Sequence, residues 1–277
     1  MNNSNPFFEV KREKLQTVGS GIEVPKEALI NAETNALLGI VSPGYEVVKH
    51  EQVAGLFGDV LAQYDCTVIG NYLDSTGRRW KQRVIFNDDR LNFDIDGRGD
   101  NTGIMLELFN GYDARTSFGY NLLGYRSYCT NGMVMGRKDL FKEALSHFIN
   151  AIDRLQQSFE LKWPAFRDNV GIWQSWTQIG FSEDQFKAFL ESRIKSEANK
   201  KGFLSEKMAE TIALEWRPGL TANKLDETAW GAFNVLTWLA THHTKARKGS
   251  NLFSNRYSTM NRLAEDFYTQ MPAITVE

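Results

Sequence analysis

Cysteine and proline are scarce in this chain, and each scarcity excludes a class of protein. Two cysteines, Cys66 and Cys129, are too few for a disulfide scaffold or a thiolate zinc site, so we expect buried thiols. Six prolines exclude collagen-like and Pro-rich low-complexity chains. No apolar run approaches the ~20 residues of a membrane-spanning helix, and the N-terminus lacks the order of a secretory signal. We therefore expect a cytoplasmic protein without a membrane partner.

What the chain does contain is typical of a globular protein. Apolar residues make up 42% and charged residues 24% of its 277 residues, which excludes disorder as the dominant state. This length fits one large domain or two modest ones. The formal net charge of −2 gives no overall attraction to nucleic acid, so an argument for that partner depends on how the charges are arranged.

The first 65 residues predict an irregular leader followed by helices. Residues 1–24 show no clear periodicity. Residues 25–39 have proline at their start and glycine at their end, which predicts a helix. A short strand at 45–48 precedes a helix at 51–64, where apolar residues recur at three- and four-residue spacings.

From Cys66 the apolar period changes to two. Residues 66–73 and 80–86 predict two strands joined by an Asp-Ser-Thr-Gly turn at 74–77. A second pair follows at 103–110 and 116–129, with its turn at Asn110-Gly-Tyr-Asp. Gly119 and Gly124 in the last strand indicate bulges or close backbone approach.

After Gly132 the pattern predicts helices. The first runs from 139 to 159, with Asn131-Gly132 as the tight turn that leads into it. A capping box at Ser182-Glu-Asp-Gln185 opens another. The remaining predicted helices are 205–217, 224–244 and 257–270.

Strands followed by helices are typical of an α+β fold. We expect an antiparallel sheet of hairpins over about residues 40–130, packed with helices and followed by a helical C-terminal half. The corresponding organisation is a leader and short helix (1–39), a sheet with a long helix (40–160) and a helical region (161–277). These parts could also form one continuous domain.

Catalytic motifs are missing. The sequence contains no phosphate-binding glycine loop, no nucleophile elbow and no His-Glu-x-x-His motif. Of the four histidines, His242 and His243 are adjacent and cannot share a helix face. His147 lies among apolar residues and is interpreted as a core histidine. We therefore predict no catalytic residues and no cofactor, and leave an enzyme open.

A metal site has one weak candidate. Residues 92–100 place Asp94, Asp96 and Asp100 at alternating positions with Gly97 between them, which resembles the opening of a calcium loop. Counted from Asn92, the twelfth position is Gly103, where a calcium loop requires a bidentate glutamate. The alternative is a solvated acidic loop between strands.

The arrangement of charge is more informative than its total. Three stretches, 75–87, 114–138 and 228–264, contain no acid and carry clustered cations. Such segregation lets a nearly neutral protein hold a polyanion on one face. The predicted nucleic-acid or anion contacts are Arg78, Arg79, Lys81, Arg83, Arg115, Arg126, Arg137, Lys138, Lys245, Arg247, Lys248 and Arg256.

Aromatic residues within these stretches have two interpretations. Aromatics among cations can stack on unpaired bases. Trp230 and Phe233 lie on a predicted helix and fit a core position better. In the strand at 80–86, alternation places Arg79, Lys81 and Arg83 on one face and Trp80 on the other, against helices. If the cations contact only phosphate, replacing all three with alanine should leave the melting temperature nearly unchanged.

Three segments together resemble a known family. They are Asn110–Asp113 after an apolar strand, Arg126-Ser-Tyr-Cys-Thr-Asn-Gly-Met133, and the helix from Thr228 to His242 with the basic loop and Arg256 beyond it. This order is similar to the phage- and plasmid-like proteins called domain of unknown function 932, over about residues 44–268. Ala114 stands where that family often has a turn glycine. The resemblance implies an accessory protein of mobile elements, located in the host cytoplasm, and supplies no activity.

Three hypotheses for function remain open. The first is binding or annealing of single-stranded nucleic acid in recombination or replication, by an element order similar to that of phage annealing proteins. The second is a non-enzymatic inhibitor that binds a host defence complex through the acidic residues 88–113. The third is a metal-dependent nuclease using Asp94, Asp96, Asp100 and Glu107. Either binding hypothesis favours a homo-oligomer.

Overall fold

The structure is a computed structural model. It describes residues 5–97, 99, 101–126, 131–134, 142–147, 150–216, 227–242, 253 and 255–271. The strands are β1 Val10–Gln16, β2 Glu23–Asn31, β3 Leu37–Val41, β4 Cys66–Leu73, β5 Arg79–Phe86, β6 Phe93–Asp94, β7 Asn101–Gly111, β8 Phe118–Arg126, β9 Asn131–Val134 and β10 Lys142–Leu145. The helices are α1 His50–Gly55, α2 Gly58–Leu61, α3 Ala151–Trp176, α4 Glu183–Glu191, α5 Glu206–Glu215, α6 Ala229–His242 and α7 Asn255–Gln270.

The predicted α+β class is confirmed, with antiparallel pairing throughout the two sheets. One sheet has the order β1-β2-β3, and the other has the order β10-β8-β7-β5-β4, with β6 paired to β7 and β9 to β8. The chain divides into two compact units. The first contains residues 1–88, 106–121 and 142–162, and the second contains residues 89–105, 122–141 and 163–277.

The N-terminal leader and helix predicted for residues 1–39 are wrong, because this segment forms β1, β2 and β3. Where the helix was predicted, the chain turns at Asn31. Its side-chain oxygen accepts hydrogen bonds from the backbone N–H groups of Glu33 (2.9 Å) and Thr34 (3.0 Å), and Asn35 has a φ of +56°. A left-handed residue cannot continue an α-helix, so the chain reverses into a hairpin.

Both strand pairs predicted after Cys66 are confirmed, although β7 continues through Asn110 and Gly111, so the second turn begins later than predicted. β4 and β5 pair antiparallel across the 74–77 turn, where Gly77 has a φ of +71°. In β8, Gly119 lies so close to the backbone carbonyl of Glu143 in β10 that a Cβ would overlap it, which confirms the expected close approach. The thiol of Cys66 is half-buried rather than buried, and Cys129 lies outside the described residues.

Three other predicted elements before α3 are wrong. Residues 45–48 are irregular, since Glu46 N–H bonds individually to the carbonyl of His147 (3.4 Å) instead of joining a strand ladder. Asn131 and Gly132 belong to β9 and do not form a turn. The helix predicted from 139 begins only at Ala151, because β10 precedes it and Asn150 adopts a φ of +65°.

The C-terminal helices match the prediction closely. Ser182 caps α4, its side chain accepting from Gln185 N–H at 3.3 Å and completing the predicted capping box. α5 and α6 fall within the predicted ranges, and α7 begins two residues before its predicted start at 257. Trp230 and Phe233 are buried in the core of the second unit, which confirms their core interpretation. None of the described helices is both long and apolar enough to cross a membrane.

Candidate functional site

Strand β5 separates its cationic and apolar side chains as the alternation predicts. Lys81 and Arg83 both contact Glu107, whereas Trp80 and Gln82 both donate to the side-chain oxygen of Asn71. The two sets therefore lie on opposite faces of the sheet. Trp80 is completely buried and stacks on the ring of His50 in α1, with 5.4 Å between centroids. This contact confirms that Trp80 anchors the sheet to a helix.

Glu107 forms a buried ion-pair cluster on the cationic side of the sheet. Lys81 Nζ lies 2.8 Å from Oε1, and Arg83 Nε and Nη2 each lie 2.8 Å from Oε2. Asn121 in β8 donates to Oε1 at 3.1 Å. Burial alone would raise the pKa of Glu107, but the two cations outweigh it and lower the pKa to about 2. The ionised Glu107 carboxylate thus pairs with both cations.

The turn end of the β4–β5 hairpin holds the other two predicted cations. Arg79 Nε donates to Asp74 Oδ2 at 2.9 Å, while Oδ1 accepts backbone N–H groups of the turn. Burial would raise the pKa of Asp74, but these bonds hold it below its usual value. The Nε atom of Arg78 is buried and has no hydrogen-bond partner among the described residues. The backbone N–H of Arg78 also donates to Asp74 Oδ1, at 2.9 Å.

Tyr72 adds an aromatic ring to this face, and the sequence reasoning missed it. In the antiparallel register Tyr72 is opposite Lys81, and Gly70 is opposite Arg83. The half-buried Tyr72 ring extends over Gly70, where a Cβ would lie only 2.8 Å from Cε2. Counting back from the 74–77 turn would have placed it beside the cations. We call this set the cationic face: Tyr72, Arg79, Lys81, Arg83, Glu107 and Asn121.

The remaining predicted anion contacts lie elsewhere or outside the described residues. Arg115 is exposed in the turn between β7 and β8, where Asp113 Oδ1 accepts from the N–H groups of Arg115 (3.0 Å) and Thr116 (2.7 Å). Arg126 ends β8, and Arg256 lies in α7. Arg137, Lys138, Lys245, Arg247 and Lys248 are outside the described residues. Of the predicted contacts, the structure therefore brings together only those of the hairpin, and their binding of an anion stays a prediction.

The candidate metal ligands lie in a loop whose backbone N–H groups donate to the Asp94 carboxylate. Asp94 Oδ1 accepts from Gly97 N–H at 2.9 Å, and Oδ2 accepts from Gly99 N–H at 3.0 Å. Asp96 is half-buried, and Asp100 is outside the described residues. Among the residues that the structure describes, no three His, Cys, Asp or Glu side chains are grouped closely enough to hold a metal ion.

Two buried histidines lie in the first unit. The His50 ring stacks on the Tyr112 ring, with 4.1 Å between centroids, and His50 Nδ1 accepts a hydrogen bond from the side-chain amide of Asn110 at 3.0 Å. Burial, and secondly His147, lower the pKa of His50 to about 3. Burial also lowers the pKa of His147 to about 4; its ring stacks on Tyr45 at 4.7 Å. His147 is thus a core residue as expected, although it precedes α3 instead of lying within a helix.

We expect the free energy of unfolding to fall as the pH drops from 6.5 to 5. Both histidines have folded-state pKa values below the unfolded value of about 6.5, so the unfolded chain binds more protons below that pH. The stability that the two histidines contribute is fully present above pH 6.5. Below that pH, each histidine lowers the free energy of unfolding by up to ~1.4 kcal/mol per pH unit. Urea unfolding at pH 7, 6 and 5 measures the loss. His147→Asn should reduce the slope, and an unchanged stability between pH 7 and 5 would contradict this expectation.

Comparison with known proteins gives a family but no activity. The family model described as a domain of unknown function, DUF932, matches residues 37–263, which is most of the chain and includes the whole cationic face. No curated protein and no solved structure matches the chain. The resemblance seen in the three sequence segments is therefore confirmed, and the chain belongs to the DUF932 family.

Proposed function

We propose that this protein binds single-stranded nucleic acid through the cationic face, as an accessory protein of a phage or another mobile element. The observation that carries the proposal is the charge of the β4–β5 hairpin. Residues 66–86 contain one acid, Asp74, and four cations, which are Arg78, Arg79, Lys81 and Arg83. Arg78 lies outside the cationic face, so the face itself has three cations paired with two acids, Asp74 and Glu107. A fixed excess of positive charge on a sheet attracts phosphate.

The chemistry of the cationic face suits an unpaired strand. Tyr72 offers a ring beside Lys81, and bases stack on aromatic rings in proteins that bind single strands. The sheet holds the ring and the cations in fixed positions, so little ordering accompanies binding. Lys81 and Arg83 both pair with the buried Glu107, so Arg79, whose side chain is 38% exposed, is the cation of this face that a phosphate oxygen can reach.

The large aromatics of the C-terminal stretch do not take part in this proposal. Trp230 and Phe233 are 3% and 0% exposed, so neither offers a ring face to a base. Contacts to phosphate therefore dominate the proposed interaction, with Tyr72 as the stacking residue. Binding of this kind depends strongly on salt and weakly on base sequence.

Replacing Tyr72 with alanine should weaken binding of a labelled single-stranded oligonucleotide by about 1–3 kcal/mol, or roughly 5- to 150-fold in Kd. Tyr72→Phe keeps the ring and should bind nearly as well as the native chain, which makes it the matched control. Arg79→Gln should lower the salt slope by about 0.7, the value for one phosphate contact on a single strand. Fluorescence anisotropy from ~50 mM salt upward measures all three. Absence of binding by the native chain at ~50 mM salt would refute the proposal.

The ion pairs change the expectation for alanine at all three cationic positions. Removing Lys81 and Arg83 leaves Glu107 buried and uncompensated, which costs several kcal/mol. The triple replacement should therefore lower the melting temperature, so it cannot serve as a clean binding variant. Tyr72 and Arg79, whose side chains lie outside the Glu107 cluster, are the better probes.

The two other hypotheses gain no specific observation from the described residues. The inhibitor hypothesis requires outward acids in residues 88–113, where Glu107 is paired with cations and the Asp94 and Asp113 carboxylates accept bonds from their own loops. The nuclease hypothesis uses the same Asp94 and Glu107. Nuclease treatment of the protein purified from host lysate separates the hypotheses, since it should release partners held by nucleic acid and retain a directly bound protein.

A further inference from the structure

Strand β4 lies at one end of its sheet and has an open edge. Among the described residues, β5 is the only strand that pairs with it. The backbone N–H and C=O groups of such an edge can bind a further strand. None of its eight residues, Cys66–Leu73, is buried, and Val68 and Ile69 are 50% and 41% exposed. A further strand therefore has access to β4 along its whole length.

The other strands at the ends of the two strand orders are protected from such an addition. β1 has four consecutive charged residues at 11–14, and β10 begins with a lysine and a glutamate at 142–143. Charged residues on an edge strand oppose pairing with another chain. β3 has only five residues, of which Leu38 and Val41 are buried. Of these four strands, β4 alone has no charged residue and is accessible throughout.

A hydrogen bond at the turn shows which backbone groups of β4 face the open edge. Asp74 N–H donates to the carbonyl of Arg79 at 2.9 Å, so the backbone of Asp74 faces β5. Along an antiparallel strand, successive residues direct their N–H and C=O groups alternately to one side and the other. The backbone groups of Leu73 and Asn71 therefore face the open edge.

The other end of β4 gives a second set of outward groups. Asn87 N–H donates to the carbonyl of Asp65 at 2.8 Å, so the backbone of Asp65 faces β5. By the same alternation, the backbone groups of Cys66 and Val68 face the open edge. The register shifts between Val68 and Gly70, where β4 has one residue more than β5. This extra residue separates the two sets.

The extra residue favours a second copy of β4 as the partner at this edge. The outward residues 66, 68, 71 and 73 are spaced symmetrically about the midpoint between Ile69 and Gly70. A regular strand such as β5 leaves the extra residue without an opposite residue. A second β4, placed antiparallel about that midpoint, has its own extra residue at the same place. Each residue from 66 to 73 then has an opposite residue.

We propose that two copies of the chain pair through β4 as antiparallel strands, about a two-fold axis between Ile69 and Gly70. Cys66 of one copy then lies opposite Leu73 of the other. Residues 66–73 include no charged residue, so the contact brings no like charges together. The contact is isologous, because both copies contribute the same surface, and it closes at two chains.

This pairing also determines how the cationic faces of the two copies are arranged. Tyr72 of one copy lies opposite Thr67 of the other, and the register with β5 places both on the side of the sheet that carries Lys81 and Ile85. The two cationic faces therefore lie on the same side of one continuous sheet. The dimer does not rest on the proposed nucleic-acid binding, and its tests use no nucleic acid.

Light scattering after size exclusion, at increasing protein concentration, tests the dimer. The native chain should approach twice the 31.6 kDa of one chain. Ile69→Lys should remain a monomer, because two lysines then lie diagonally across the axis. The matched control is Ile40→Lys on β3, at a 51% exposed isoleucine, which should dimerise like the native chain. A native chain that stays monomeric, or a folded Ile69→Lys variant that still dimerises, would overturn the proposal.

Opposite charges at residue 69 test the position of the axis. Ile69→Glu alone should also remain a monomer. Mixed with the Ile69→Lys chain, it should form dimers with one copy of each, because the charges across the axis now attract. Native mass spectrometry, with one of the two chains labelled with ¹⁵N, identifies the mixed dimer. Two folded variants that stay separate would contradict an axis beside residue 69.

A disulfide tests the register without adding charge. Leu73→Cys places a thiol opposite Cys66 of the other copy, and opposite residues of an antiparallel pair lie within disulfide range. Within one chain the two positions are seven residues apart on an extended strand and cannot bond to each other. Oxidation should therefore give a covalent dimer, which Cys66→Ser in the same chain should abolish. Absence of the covalent dimer, or its persistence after Cys66→Ser, would refute the register.

Discussion

Replacing Glu107 with glutamine should lower the free energy of unfolding by about 3–5 kcal/mol, the range for breaking a buried ion pair. The side chain is completely buried and its carboxylate contacts Lys81, Arg83 and Asn121. Glutamine keeps the shape but removes the negative charge, which leaves two cations in a poorly solvated place. Urea unfolding at pH 7, followed by tryptophan fluorescence, measures the change.

Two controls separate burial from charge. Glu183→Gln removes an ion pair to Lys187 in which both side chains are about half exposed, and should lower the free energy of unfolding far less than Glu107→Gln does. Replacing Glu107 with leucine and both Lys81 and Arg83 with methionine should restore most of the lost stability, because no buried charge remains. A loss below about 1 kcal/mol for Glu107→Gln would mean that water reaches the cluster.

Trp230→Ala should cost about 3–5 kcal/mol, the range for deleting a buried aromatic side chain. Trp230 is 3% exposed and stacks near Trp173, with ring centroids 6.1 Å apart, and near Phe233 at 6.2 Å. Alanine leaves a large cavity among rings that cannot close over it. Urea unfolding measures the change.

The same helix offers a matched control. Trp238 in α6 is half-buried, so Trp238→Ala deletes an equal side chain at a less enclosed position and should cost less. Equal losses for the two variants would contradict the ranking. A loss of less than about 2 kcal/mol at Trp230 would indicate that the surrounding rings repack.

The sequence predicted elements whose signals are local. The 74–77 turn, the alternation of β5 and the capping box at Ser182 each depend on a few consecutive residues. The errors came where one side chain or one backbone angle decides the structure. Asn31 folds its own turn, and Asn150 adopts a left-handed conformation just before α3. Apolar spacing alone cannot distinguish these asparagines from helical residues.

The candidate site was predictable in part for the same reason. Alternation placed Arg79, Lys81 and Arg83 together and Trp80 in the core. The partner of Lys81 and Arg83 was not predictable, because Glu107 is more than twenty residues away and the register between β5 and β7 is not encoded locally. In the sequence, β5 therefore resembles a basic surface with no acidic partner. In the structure, Lys81 and Arg83 both pair with the Glu107 carboxylate.

The position of Glu107 also has a consequence for how the sheet assembles. β5 and β7 are neighbours in the sheet, and a slip of one residue between them would move Lys81 and Arg83 to the opposite face. Glu107 would then be buried beside Trp80 or Gln82 without a cation, at a cost of several kcal/mol. Misaligned pairings of these strands are thus penalised during folding, and the charge cluster selects the single alignment in which the hairpin completes the sheet.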